Sequence, residues 1–454
     1  MIDKVISRLE KGKQGSVDEL TDFLRIPSVS ADPAHKGDMR KAADWLAKKM
    51  QAAGVDAEIM ETKGHPIVCG ERLDNDGGPT VLVYGHYDVQ PPDPLDEWET
   101  SPFEPVIKNG KIVARGSSDD KGQLYTHVKA VEAWLAETGR LPINMKFIFE
   151  GEEEVSSVHL GDFLKENRKK LACDVIIVSD TSQFAPGLPA ITYGLKGLSY
   201  LEIRITGPSA DLHSGSFGGS VANPANVLAK IIAGMHDEKG RITIPGFYDD
   251  VKNLEDWERK EYAKLPFDEE EYREITGVPV LWGEEGYTTV ERRWARPTLD
   301  VNGIWGGYQG EGAKTIIPAR AGAKVSMRLV PDQDPDKITK LFEKYVRSVT
   351  PESVRLEIIP MHGGKPFLID PKSVFFEKAS EAIEKGFGVK PLLIREGGSI
   401  PITETFREVL GVDTLLLGWG QNDDKTHSPN EHFDLGDFHK GTLSAAHLIG
   451  LLGA

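Results

Sequence analysis

The stretch VLVYGHYD, residues 81–88, decides how the rest of the chain is read. Its first residues form a short apolar, β-branched run that reads as a strand buried on both faces, and the run stops at Gly85. His86 and Asp88 follow at once. In an open α/β sheet, ligands gather beyond the carboxyl ends of the strands, so a His and an Asp two residues apart are placed there to serve a metal ion. The same arrangement recurs four times. Runs at residues 111–114, 145–149, 175–178 and 414–417 lead into Gly116-Ser117-Ser118-Asp119-Asp120, the acidic run Glu150 to Glu154, Ser179-Asp180, and a loop reaching His427. One strand ending in such residues is an ordinary loop; five in one chain point to a shared site.

The chain has 454 residues, more than a single ordinary core accommodates, so two domains are expected. Hydrophobic residues at 39% and charged residues at 28% describe a soluble globular protein. No apolar stretch approaches the roughly 20 residues needed to cross a bilayer. The first residues, MIDKVISRLEKGKQG, are amphipathic and charged, without the apolar core of a secretory signal, so a cytoplasmic location is expected. Cys69 and Cys173 are the only cysteines. That is too few for a disulfide framework, and both are expected to be buried structural thiols. A net charge of −17 with no basic block excludes nucleic acid and anionic membranes as expected partners.

Along the chain, residues 37–53 and 121–138 read as amphipathic helices, the second starting directly after Asp119 and Asp120. Those two aspartates either cap that helix or serve the site. From about residue 198 the texture changes to alternating strands at 198–207, 323–329 and 354–359 and helices at 223–235 and 336–346. This order predicts an α+β domain, residues 198–364, inserted into an α/β domain made of residues 1–197 and 365–454. Residues 238–296, rich in Trp, Tyr and Glu, read as an elaboration of the insert. A helix is expected at 443–452.

His86, Asp119, Glu154, Asp180 and His427, with Asp88 and Glu153 beside them, form a set of nitrogen and oxygen ligands that suits Zn²⁺, Mn²⁺ or Co²⁺. Five ligands are too many for one tetrahedral ion, and a carboxylate shared between two metals roughly 3.5–4 Å apart solves the count. Such a pair lowers the pKa of a bridging water toward about 7 and needs a nearby carboxylate as base, which Glu153 or Glu152 can be. Asp88 is placed to accept the other imidazole N–H of His86.

GHYDVQP, RGSSDDKG, EGEEE, VSD, DLHSG, REGGSIP and THSPNE, in this order, resemble the co-catalytic dizinc exopeptidase family of carnosine and cytosolic non-specific dipeptidases, acetylornithine deacetylase, succinyl-diaminopimelate desuccinylase and glutamate carboxypeptidases. ITYGLKG, GAKTIIP and HGGKP resemble the dipeptidase branch. The resemblance implies a mixed, mostly parallel sheet between helices, with the insert acting as lid and dimerisation domain. It implies two divalent metal ions per subunit, zinc first, with His86 on one, His427 on the other, Asp119 bridging, and Glu154 and Asp180 completing the shells. Asp88 would orient His86, Glu153 would be the general acid/base, and the Asp119–Asp120 peptide would be cis. His213 would stabilise the oxyanion, in its own or a partner's site. Arg328, Thr315, His362, Gly398 and Ser399 would hold the substrate's C-terminal carboxylate. Without the resemblance, Arg328 reads as a solubilising charge at a strand edge. Val155-Ser156-Ser157 departs from the family's commoner Ser-Gly after the acidic run. The expected activity is hydrolysis of dipeptides or short peptides with a free C-terminus, by a homodimer; the alternative is an N-acyl-amino-acid deacylase of the same family.

Overall fold

The computed structural model describes residues 1–398 and 401–454. Strand Thr80–His86 sits in the middle of a sheet, paired in parallel with Asn144–Glu150 on one side and Val175–Val178 on the other. Both faces of it are covered, as the apolar run predicts. Gly85 faces Leu124 of helix Lys121–Thr138, and Tyr84 meets the ring of Phe406 edge-on at 5.2 Å on the opposite face. Thr414–Leu417 extends the parallel centre beyond Val175–Val178. Ile67–Leu73 and then Asp56–Met60 flank it antiparallel on one side, and Ala190–Leu195 does so on the other. The fold is therefore mixed α/β, with its parallel strands central.

The register brings the carboxyl ends of the parallel strands level. His86 lies opposite Glu150, and Tyr84 and Leu416 both lie opposite Val178. One of the five runs departs from this pattern. Lys111–Val113 belongs to a separate three-stranded sheet, between Val106–Lys108 and His432–Asp434, so Asp119 reaches the strand ends from a turn outside the main sheet.

Two compact units divide the chain: Met1–Tyr193, Ile369–Ile394 and Thr405–Ala454 form one, and Gly194–Leu368 with Arg395–Glu404 the other. In the first, helices Ile2–Leu24 and Leu435–Leu452 pack on Lys121–Thr138, and Val374–Phe387 packs on Leu435–Leu452. The last helix begins earlier than its apolar pattern predicts, because the Asp434 carboxylate caps it by accepting the N–H groups of Gly436 and Asp437. The second unit holds an antiparallel sheet in the order Thr298–Gly306, Arg320–Leu329, Gly197–Thr206, Arg355–Gly364. Alternate residues Leu201, Ile203 and Ile205 and Ala323, Val325 and Met327 pack one face against Leu228 and Ile231 of helix Pro224–Ala233 and Phe342 and Val346 of helix Pro335–Val349. The region read as an elaboration contributes helices Asp256–Tyr262, Glu269–Thr276 and Thr289–Ala295. Strand Thr298–Gly306 has no clear sequence signal, since a bulge between Val301 and Gly303 interrupts its alternation.

Both cysteines are free, but only Cys69 is buried; Cys173 is half-buried, contrary to expectation. It stands in the loop just before strand Val175–Val178 rather than within the sheet. Burial pushes both thiols up to about 12. Alkylation of the native protein by iodoacetamide at pH 8 should then run on the order of a thousandfold slower than that of a small thiol, in proportion to the thiolate fraction. Labelling at the rate of free cysteine would contradict this.

Candidate metal centre

The level strand ends deliver the site. His86 closes its strand, Glu153 and Glu154 stand in a short turn after Glu150, Asp180 follows Val178, and His427 is reached by the loop after Leu417. Asp119 stands between the two histidines. Its Oδ1 is 3.0 Å from His86 Nε2 and its Oδ2 is 3.0 Å from His427 Nε2. Asp180 Oδ2 is 3.7 Å from His86 Nε2, and Glu154 Oε2 is 3.2 Å from His427 Nε2. The result is two triads, His86-Asp119-Asp180 and Asp119-Glu154-His427, each with ligand atoms within 4.8 Å of one another and sharing Asp119.

The surroundings set the orientation of each group. His86 Nδ1 donates to the main-chain carbonyl of Asp88 at 3.1 Å, while the Asp88 carboxylate is 3.5 Å away. That carboxylate instead accepts the N–H groups of Glu153 at 3.2 Å and Glu154 at 3.1 Å. Asp88 therefore orients the imidazole through its backbone and the acidic turn through its side chain. Gln90 Nε2 donates to Glu154 Oε2 at 2.7 Å. Asp120 stands at the cap position just before helix Lys121–Thr138, but its side chain makes no capping bond; Oδ2 accepts the His86 N–H at 3.1 Å, and the Asp119–Asp120 peptide is cis, as the resemblance implies. The cap reading of these aspartates is thereby set aside. Gly85 has no side chain because a Cβ there would stand 2.7 Å from Asp120 Oδ2 and 2.8 Å from Leu124 Cβ.

Glu152 and Glu153 differ in what holds them. Glu152 is bound by His159 Nδ1 at 2.8 Å and by the His65 N–H at 3.3 Å. Among the described residues no hydrogen bond ties the Glu153 carboxylate, which burial pushes up to about 7, with Glu154, Asp119 and Asp88 adding to the rise against His86. Burial, then the charges of Asp119 and Asp120, also pushes Asp180 well above the carboxylate range. Burial works upward on Asp119 too, but the imidazoles of His427 and His86 on either side outweigh it and hold it well below. The carboxylates of Asp119 and Glu154 in turn push His427 up to about 10.

These residues fit a pair of metal ions. His86 Nε2 is fully buried and without a hydrogen-bond partner, although it faces two carboxylates. With the ring proton on Nδ1, a lone pair aimed at carboxylate oxygens becomes attractive only with a cation between them. The donors are imidazole and carboxylate throughout, which suits zinc, manganese or cobalt. A third acid–imidazole group, Asp423, Asp424 and His432, already holds a cation of its own: Lys111 Nζ is 2.9 Å from His432 Nε2 and 3.3 Å from Asp423 Oδ2.

The remaining candidates lie in the second unit. Exposed His213 accepts the Gly215 N–H at Nδ1, at 3.0 Å, which leaves Nε2 carrying the proton. Arg328 is half-buried and pairs with Thr298 on one side and Leu198 on the other, so it lies on an interior strand and not at an edge. His362 is exposed, with its ring edge-on to Tyr200 at 5.1 Å. The Thr315 carbonyl accepts the Ser214 N–H, and the Gly398 carbonyl accepts the Lys196 N–H. Ser399 lies outside the described residues. Glu431, which the sequence did not single out, accepts three backbone N–H groups of the turn that carries Asp119.

An α/β sheet whose parallel strand ends present two acid–imidazole triads around one aspartate is the framework of a metallohydrolase. The chain belongs to the peptidase family M20/M25/M40, whose model matches residues 82–450. It is 35% identical to the Cys-Gly metallodipeptidase dug1 of Schizosaccharomyces pombe, over 97% of this chain and 96% of that protein. It is 31% identical to the human Beta-Ala-His dipeptidase, over 97% of this chain and 91% of that protein. Among solved structures it is similar to the metallo-carboxypeptidase Sso-CP2 of Sulfolobus solfataricus, with a TM-score of 0.81 and 36% identity, covering 96% of this chain and 99% of that one.

A Cβ at Gly122 would stand 2.0 Å from the Ser117 carbonyl oxygen, so the start of the helix rests directly on the turn that presents Asp119. Gly122→Ala must push that turn aside. Misplacement of this kind costs about a hundredfold in kcat/KM, and steady-state peptide hydrolysis checks it; full activity in the variant would contradict the close packing.

Proposed function

We propose that this chain is a dipeptidase that uses two divalent cations, zinc first, to hydrolyse dipeptides and short peptides with a free C-terminal carboxylate. The observation that carries the reading is the pair of triads sharing Asp119. His86 and Asp180 would hold one ion, Glu154 and His427 the other, with Asp119 common to both. When bound, the ions would supply Lewis acidity, acidifying water and polarising the scissile carbonyl.

The chain's own groups do the rest. Glu153, whose carboxylate is tied by no hydrogen bond among the described residues and is raised by burial, takes a proton from the attacking water and returns it to the departing amine as the C–N bond breaks. Gln90 and the N–H bonds to Asp88 keep Glu154 and the acidic turn in place meanwhile. On the family resemblance, His213 gives its Nε2–H to the developing oxyanion. On the same ground, Arg328, Thr315, His362, Gly398 and Ser399 hold the terminal carboxylate, for which an Arg fork is suited. The curated relatives named above are dipeptidases along nearly the whole chain, and this favours dipeptides; the likeness to a carboxypeptidase supports longer peptides as a second class. A homodimer formed through the second unit and a cytoplasmic place, suited to two unpaired thiols, complete the proposal.

A panel of dipeptides, longer peptides and N-acetyl and N-succinyl amino acids tests the substrate class. Dipeptides should be cleaved fastest, and amidation of their C-terminus should lower kcat/KM by about a hundredfold or more, since the guanidinium of Arg328 is then left without its anionic partner. Equal rates on amidated dipeptides, or faster cleavage of the acyl amino acids, would overturn it. Glu153→Gln should lower kcat by about 10²–10⁴-fold with metal content, read by elemental analysis, unchanged. Loss of both metals would instead move Glu153 into the ligand set.

A further inference from the structure

We propose that Glu431 is the positioning residue of the metal centre: its buried carboxylate is the template on which the turn bearing Asp119 is folded. The inference rests on the metal-centre reading above. Glu431 stands four residues after His427 and is fully buried. Its Oε2 accepts the Gly116 N–H at 2.9 Å and Arg115 Nη1 at 2.9 Å; its Oε1 accepts the Ser118 N–H at 3.0 Å and the Asp119 N–H at 3.1 Å. Two oxygens thus take four donors, and one of them is the main-chain N–H of the shared ligand itself. Successive amides wrapped around one anion form a concave nest, and the positive φ of Gly116, 82°, makes the bend.

Further contacts fasten the two loops. The Glu431 carbonyl accepts the Ala114 N–H at 3.0 Å, and His432 lies in register with Val113. Arg115, itself buried, supplies the neutralising charge and donates Nη2 to the Pro91 carbonyl at 3.2 Å. The loop that ends in one imidazole therefore also carries the anion that orders the bridging aspartate. A shift of Glu431 displaces Asp119, and Asp119 belongs to both triads.

A stability role alone would not need the N–H of a ligand among the four donors. Glu431→Gln keeps shape but turns one oxygen into an NH₂ that faces two donors, and it leaves Arg115 without its counter-charge. Glu431→Asp keeps the charge but draws the oxygens back by one methylene. The test is a competition titration of metal-free protein with zinc against a chromophoric chelator, alongside the visible spectrum of the cobalt-loaded protein and the melting curve of the metal-free form. Both variants should bind both ions about 10–100-fold more weakly and alter the cobalt bands, at temperatures where their metal-free forms remain folded. Unaltered affinity and spectrum in either folded variant would overturn the proposal. So would loss of the fold in both variants, which would make Glu431 a residue of stability. Absence of metal uptake by the unaltered protein would sink the metal centre as well, whereas wild-type affinity in the variants would sink this inference alone.

Discussion

Two imidazoles and several carboxylates crowd one end of a sheet, and the repulsion among the carboxylates is the constraint on which the rest of the structure depends. Like charges about 4 Å apart repel by roughly 4 kcal/mol at an effective dielectric of 20, and burial adds a desolvation cost for each. Asp180 and Glu153 are pushed upward by burial and like charges, whereas Asp119, set between two imidazoles, is held down. A pair of divalent cations removes the conflict at once, and sharing Asp119 lets five side chains serve both ions.

The surrounding architecture keeps these groups from relaxing apart. Parallel strands with level ends fix the starting points of His86, the acidic turn and Asp180, because register leaves no freedom to slide. The groups that complete the centre are then held mostly through backbone hydrogen bonds. Asp88 binds two N–H groups of the acidic turn, Asp120 binds that of His86, and Glu431 binds three from the turn of Asp119. Carboxylates that accept main-chain N–H groups act over one or two bonds and so place a neighbouring side chain with little slack.

This division explains what could be read in advance. That His86, Asp119, Glu154, Asp180 and His427 come together was legible because apolar runs ending in ligand-type residues form a pattern visible along the chain. The parallel core was legible for the same reason. Glu431 was not, since three of its four donors are main-chain amides and any residue type supplies those; its position in THSPNE, the same segment as His427, was the one available signal. Asp88 was read as a side-chain partner of His86, yet its carbonyl takes that place, a choice that composition cannot encode. The run at 111–114 was legible as another strand leading into ligand-type residues, but so short a run does not reveal that it pairs with Val106–Lys108 and His432–Asp434. Without the resemblance Arg328 read as an edge charge, because strand Thr298–Gly306, with its bulge between Val301 and Gly303, gives too weak an alternation to reveal the neighbour that covers it.

Anomalous diffraction at the zinc edge, from crystals grown with zinc, measures the shared centre most directly. Two peaks are expected, one among His86, Asp119 and Asp180 and the other among Asp119, Glu154 and His427. A single peak, or two peaks with Asp119 bound to neither or to only one, would contradict the shared aspartate.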